Sequence, residues 1–144
     1  MTERATLERI ACDWISLWNP PVDWQLFDSL HAQDFEDLTS AGRAGTKEGF
    51  AAGLKEMTNA FPDLRTRIDG LAIDTEQSRI AVRWSSTGTN KVRFLGIGPT
   101  DKATKIAGIE IIDVSEGRVI RRWGEWDISS HVNNEWFVYG LRGK

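Results

Sequence analysis

The chain has 144 residues, 40% hydrophobic and 27% charged, with a net charge of −3: enough for one domain around one core, and too apolar for a disordered chain. The slight acidity and the want of a concentrated basic patch argue against nucleic acid or an anionic membrane as partner. The opening MTERATLERI lacks the apolar run of a secretory signal, no stretch approaches the roughly 18 apolar residues of a membrane span, and the lone Cys12 rules out an internal disulfide and fits a reducing cytoplasm.

Thr2 to Trp18 carries a helical stripe, Leu7, Ile10, Trp14, Leu17 and Trp18, at steps of three and four. Thr2 or Thr6 would cap it. Asn19-Pro20-Pro21 ends it, because proline lacks an amide donor and clashes inside a helix. Val22 to His31 predicts a short second helix presenting Trp24, Phe27 and Leu30, and Phe35 to Thr39 a brief extended piece. SAGRAGTKEG then supplies a turn and a cap, with Thr46 as N-cap and Glu48 near the positive end of a third helix. That helix runs to about Ala60 with Phe50, Leu54, Met57 and Phe61 on one side. After Phe61-Pro62-Asp63 the hydrophobic period falls to two. Strands are predicted at Leu64–Asp74, Arg79–Thr89, Lys102–Val114 and Arg118–Ser129. Helices followed by an antiparallel meander make an α+β fold in a single domain over 1–144. The tail, HVNNEWFVYGLRGK, is ambiguous; its Trp136, Phe137, Val138 and Tyr139 need cover from this chain or a partner.

Glu110 interrupts an apolar strand in GIEIIDVSEGRVIRRWGEWD, Gly108 to Asp127. Reading the turn VSEGR as a three-residue loop with a glycine bulge pairs Val114 with Arg118. Counting outward then opposes Ile112 to Ile120, Glu110 to Arg122, Gly108 to Gly124 and Ile106 to Trp126. Directly opposed residues share a face, so Arg122 answers Glu110. A two-residue loop would oppose Glu110 to Trp123 instead. Two facing glycines vacate one spot beside the pair, for a sheet bend or a ligand. Isoleucine flanks and a facing arginine make Glu110 read as part of a pocket floor, against the alternative of a solvated cross-strand ion pair.

Helix, helix, a helix ending FPDLR (Phe61 to Arg65), then IAVRWSSTGT, FLGIGPT (Phe94 to Thr100) and the hairpin above resemble the SnoaL-like polyketide cyclases of the nuclear transport factor 2-like superfamily, over about Leu7 to Ser130. The resemblance implies a cone: three N-terminal helices packed into a strongly curved, mostly antiparallel sheet around a deep apolar cavity. It also implies homodimers paired through the outer faces of their sheets, and ring closure by intramolecular aldol condensation without metal or organic cofactor. The cyclases' acid/base aspartate on the last strand aligns with Gly124. Their histidine on the preceding strand aligns with Glu110, their glutamine with Gly108, and a cavity aromatic at the end of the first helix with Trp18. The pocket is thus retained while its polar set is replaced, and the superfamily also holds ligand binders without a reaction.

A cofactor-free aldol, isomerisation or hydration needs a base and an oxyanion donor. Glu110 is assigned the principal acid/base role and Arg122 its electrostatic partner. Asp127 and Glu125 are the reserves, although the place of Asp127 at the strand end also suits it to order the following turn, and Glu125 should face the other way. Two carboxylates around an arginine also keep an epoxide hydrolase-like site open. Trp18, Phe50, Trp84, Phe94, Ile112 and Trp126 are the candidate ligand-binding residues, with Trp123, on the other face, at a dimer interface. His31 and His131 read as surface residues, and no His or Cys spacing suggests a metal. The reading is an acid/base enzyme for a hydrophobic small molecule, cytoplasmic and cofactor-free; the alternative is a non-catalytic binding or dimeric structural module.

Overall fold

The computed structural model describes residues 2–96, 98–130 and 135–139. Within them the chain order is α1 (Arg4–Ser16), α2 (Trp24–Leu30), β1 (His31–Asp37), α3 (Lys47–Ala60), β2 (Arg65–Asp74), β3 (Arg79–Thr89), β4 (Ala103–Ser115), β5 (Arg118–Ser130) and β6 (Glu135–Tyr139). The fold is mixed α+β with a curled sheet. The sheet runs β1-β5-β4-β3-β2, and β6 also pairs with β5. All pairings are antiparallel except β1 with β5. The helices are not a contiguous N-terminal set: β1 comes between α2 and α3 and supplies the parallel edge. It begins at His31, earlier than the Phe35 expected from the sequence, where the chain leaves α2 in extended geometry.

Helix α1 buries Leu7, Ile10, Ala11, Trp14 and Ile15. Its N-cap is Glu3, without a side-chain bond, and neither Thr2 nor Thr6 caps it. Thr46 does cap α3, accepting from Gly49 N, and Asp23 caps α2 through Leu26 N. On β3 the even residues Ile80, Val82, Trp84 and Ser86 are buried, as are Ile106, Glu110, Ile112 and Val114 on β4. These line the inner face of the sheet.

The β4–β5 hairpin departs from the expected register. Its loop has two residues, Glu116 (φ 52) and Gly117 (φ 76), both left-handed, with Ser115 paired to Arg118. Two consecutive positive φ values make the turn whose twist matches antiparallel strands. Left alone, that loop would have opposed Glu110 to Trp123. An irregularity between Asp113 and Val114 inserts Ile120 as an extra residue on β5, so Asp113 meets Arg121, Ile112 meets Arg122, Glu110 meets Gly124 and Gly108 meets Trp126. Since a bulge adds one residue to one strand, it restores the parity that the shorter loop removed. Glu110 and Arg122 therefore share a face as expected, but as diagonal neighbours.

His31 is no surface residue: it is fully buried. Its Nε2 accepts from Trp14 Nε1 at 3.0 Å, and Nδ1 lies 2.8 Å from Phe27 O, which makes Nδ1 the protonated nitrogen. Burial lowers its pKa to about 4, so the ring is a neutral packing element among Phe27, Phe35 and Phe50. His131 and the tail's 140–144 lie outside the described residues. No helix among the described residues is long and apolar enough to cross a membrane.

Candidate functional site

Inside the curl, α1, α3 and β2–β5 enclose a cavity of about 590 Å³, part of it open to solvent at the mouth. Its walls are Trp14, Trp18, Phe50, Trp84, Phe94 and Trp126, with Leu54 and Met57 from α3. Five of the six candidate ligand-binding residues thus line it. Ile112 does not; it is 0% exposed and packs in the core beneath. Phe94 stacks on Trp126, with centroids 6.1 Å apart and planes at 17°. Sequence reasoning missed Thr66 and Arg43 as wall residues.

Glu110 and Arg122 both reach this cavity. Arg122 Nε donates to Glu110 Oε1 at 3.0 Å, and Nη2 donates to the same oxygen. Its Nη1 donates to Asp37 Oδ1 at 3.0 Å, so one guanidinium spans two buried carboxylates. Trp84 Nε1 donates to Glu110 Oε2 at 3.2 Å. The guanidinium also lies over the Phe50 ring, 5.2 Å from its centroid. Asp37 was not foreseen as a site residue. It alternates with Phe35 on β1, so both side chains turn inward, and Leu38 N to Arg122 O with Gly124 N to Thr39 Oγ1 zips the segment after β1 onto β5.

Electrostatically the group is strained. Burial pushes the Glu110 carboxyl above its ordinary range, and this outweighs Arg122 and Trp84, which favour the anion. Burial opposes the charge on Arg122 too, but Glu110 and Asp37 together hold its pKa above the usual value. Asp37 Oδ2 is buried without a hydrogen-bond partner.

The glycines do not make a common void. A Cβ at Gly124 would collide with Arg122 Nη2 and both Glu110 carboxylate oxygens, so the ion pair itself fills the space over that glycine. At Gly108 the room is taken by Trp84 and Trp126, whose atoms would lie 2.8 and 2.6 Å from a Cβ. Asp127 is exposed, as the opposite face from Trp126 requires, and is absent from the cavity. Glu125 is exposed as well. Among the described residues no three His, Cys, Asp or Glu side chains converge as a metal site would need.

A curled sheet over helices with a polar group at the floor of an aromatic cavity can be compared with known proteins. The family model for SnoaL-like polyketide cyclases matches residues 9–132. The chain belongs to the SnoaL-like polyketide cyclase family. Among solved structures, TsrD from Streptomyces laurentii superposes with a TM-score of 0.78 at 17% identity, covering 88% of this chain and 91% of that one. A SnoaL-like polyketide cyclase from Agrobacterium tumefaciens gives 0.68 at 22% identity over 84% and 91%. IdmH from Streptomyces antibioticus gives 0.70 at 21% over 83% and 91%. At these identities the likeness is one of fold. No curated protein matches the sequence. Within the SnoaL-like family frame, this chain places Glu110 and Arg122 in the cavity, with Asp37 behind Arg122.

Proposed function

We propose that this protein is a small cofactor-independent enzyme that carries out acid/base chemistry on a hydrophobic molecule, with Glu110 taking and returning a proton next to a carbonyl. The observation that carries this is the position of the Glu110 carboxylate: it lies on the cavity floor, in the space that a Cβ at position 124 would need. Position 124 is where the resemblance puts the cyclases' acid/base aspartate, so the carboxylate is supplied from the neighbouring strand. Both Arg122 donors converge on Oε1, leaving Oε2 with the Trp84 N–H and a further lone pair for a substrate proton. A raised pKa favours this role, since a base works best with a pKa near the working pH. The aromatic walls would hold a flat substrate with its acidic C–H over Oε2.

The favoured class is deprotonation next to a carbonyl, as in an aldol ring closure or an isomerisation. A panel of enolisable aromatic ketones, beginning with 1-tetralone, tests it through the rate of deuterium incorporation from D2O. The wild type should exceed buffer, and Glu110→Gln should lower the protein-dependent rate by about 10²-fold or more while remaining folded. Exchange that survives in Glu110→Gln would remove Glu110 from the proton transfer, and a wild type no faster than buffer across the panel would assign the cavity to binding alone. That second reading draws on Arg122, whose Nε, Nη1 and Nη2 are all already engaged. Exposed Ile109 and Ile111 on the outer sheet face, beside Trp123, favour a homodimer through that face, and the single cysteine favours a reducing cytoplasm.

A further inference from the structure

The cavity contains a second guanidinium. Arg43, in the loop before α3, lines it together with Glu110 and Arg122. Its Nε is buried with no hydrogen-bond partner. Among the described residues neither a hydrogen bond nor an ion pair engages this guanidinium. The other polar groups of the wall are committed: Arg122 to Glu110 and Asp37, Trp84 N–H to Glu110, and the Thr66 hydroxyl to Trp18 O and Ser86. Leaving a buried donor unmatched is costly.

The reason Arg43 sits there is legible in α3. A Cβ at Gly53 would come 2.7 Å from Arg43 Cζ, Nε and Nη2 alike. Three atoms of one plane at equal distance mean that the guanidinium lies flat on the helix at this glycine. Glycine inside a helix is unfavourable relative to alanine, and here it makes the opening through which the arginine reaches the cavity. An arginine fork with unmet donors, beside aromatic walls, matches a planar oxyanion on an aromatic body.

We infer that Arg43 receives an oxyanion, a carboxylate or an enolate, of an aromatic ligand bound in the cavity, and that Gly53 exists to admit it. The inference rests on the cavity being a ligand site, as the proposed function holds, but it assigns the ligand's charge and the residue that reads it. Arg122 neutralises the carboxylates beneath, Glu110 and Asp37, so Arg43 is the lining cation with charge to spare for a ligand.

The test is calorimetric titration of the full chain with 2-naphthoate and with its neutral methyl ester. The wild type should bind the carboxylate at least about tenfold more tightly than the ester. In Arg43→Gln that ratio should fall to about one, with the ester's own affinity changed by less than about threefold. Gly53→Ala separates the inference from a folding defect: alanine favours the helix, so the variant should unfold no earlier than wild type and yet lose the carboxylate preference. Preference that survives Arg43→Gln, equal wild-type binding of ester and carboxylate, or no naphthoate binding up to millimolar concentration would each overturn the inference. Because deuterium exchange reports Glu110 and the carboxylate-to-ester ratio reports Arg43, either reading can fail while the other stands.

Discussion

Two arginine–carboxylate groups lie back to back on the same strands and behave oppositely. On the inner face Arg122 joins Glu110 and Asp37; on the outer face Asp113 joins Arg79 and Arg121, with Arg121 also 3.9 Å from Glu36. Each even has a guanidinium over an aromatic ring, Arg122 over Phe50 and Arg79 over Trp123. The difference is water. The inner side chains are 1–6% exposed; Asp113 is 7% exposed, but its partners Arg79 and Arg121 are 42% and 38% exposed. Arg79 and then Arg121 hold the Asp113 carboxyl below its ordinary range, while burial lifts Glu110 above its own. At Asp113, itself buried, two solvated arginines outweigh the burial; at Glu110 the burial outweighs one desolvated arginine that is shared with Asp37. Position 113 and position 110 lie on opposite faces, so the pleat alone decides which carboxylate reaches the cavity and which the outer face.

The largest expected effect breaks the inner group. Arg122→Met leaves Glu110 and Asp37 buried without a counter-charge, which costs about 3–5 kcal/mol in urea unfolding at pH 7. The loss should shrink on acidification, as protonating Glu110 removes its unpaired charge. Arg121→Met on the outer face should cost less than about 1 kcal/mol, because Arg79 still holds Asp113. Equal losses would erase the distinction between the faces. A second variant sharpens it through space rather than charge. Gly124→Ala pushes a methyl into Arg122 Nη2 and the Glu110 carboxylate, an overpacking worth about 1–3 kcal/mol, and should displace the pair visibly in a crystal structure.

What could be read from the sequence divides along similar lines. Strand β3 was legible residue for residue and β2, β4 and β5 to within one residue, because the period of two is strong and Pro62 and the turns bound it. That Glu110 and Arg122 share a face was also legible, but for the wrong reason: two features, a shorter loop and an extra residue at Ile120, cancel in parity. A one-residue bulge within an apolar run has no compositional mark. Asp127 was kept as a candidate for its place at the strand end, although alternation from Glu125 already turns it outward in the expected register as in the observed one. Asp37 was obscured by β1, whose charged residues hide its alternation with Phe35. His31 and Lys47 belong to the same neighbourhood: Lys47 Nζ donates to Asp28 O and His31 O from a buried position. Arg43 had a readable signal in Gly53, an unexplained glycine in the middle of an amphipathic helix.

The smallest effect concerns the outer group and turns on the sign of a titration. Asp113 has a folded-state pKa below its unfolded one, mainly through its bond to Arg79. Its contribution is therefore fully present above the ordinary carboxylate pKa of about 4 and is lost as pH falls through the lowered value. For Glu110 the sign is reversed: its raised pKa makes its contribution greatest in acid and lost as pH rises through the folded value. Asp113→Asn should accordingly cost about 1 kcal/mol at pH 7, discounted already for its exposed partners, and the cost should vanish in acid and fade with added salt, which screens such pairs. Glu110→Gln, compared with wild type by urea unfolding over the same pH range, should move the opposite way. Parallel pH trends in the two variants would mean that the two carboxyls shift in the same direction, and the raised pKa behind the proposed role of Glu110 as a base would then be lost.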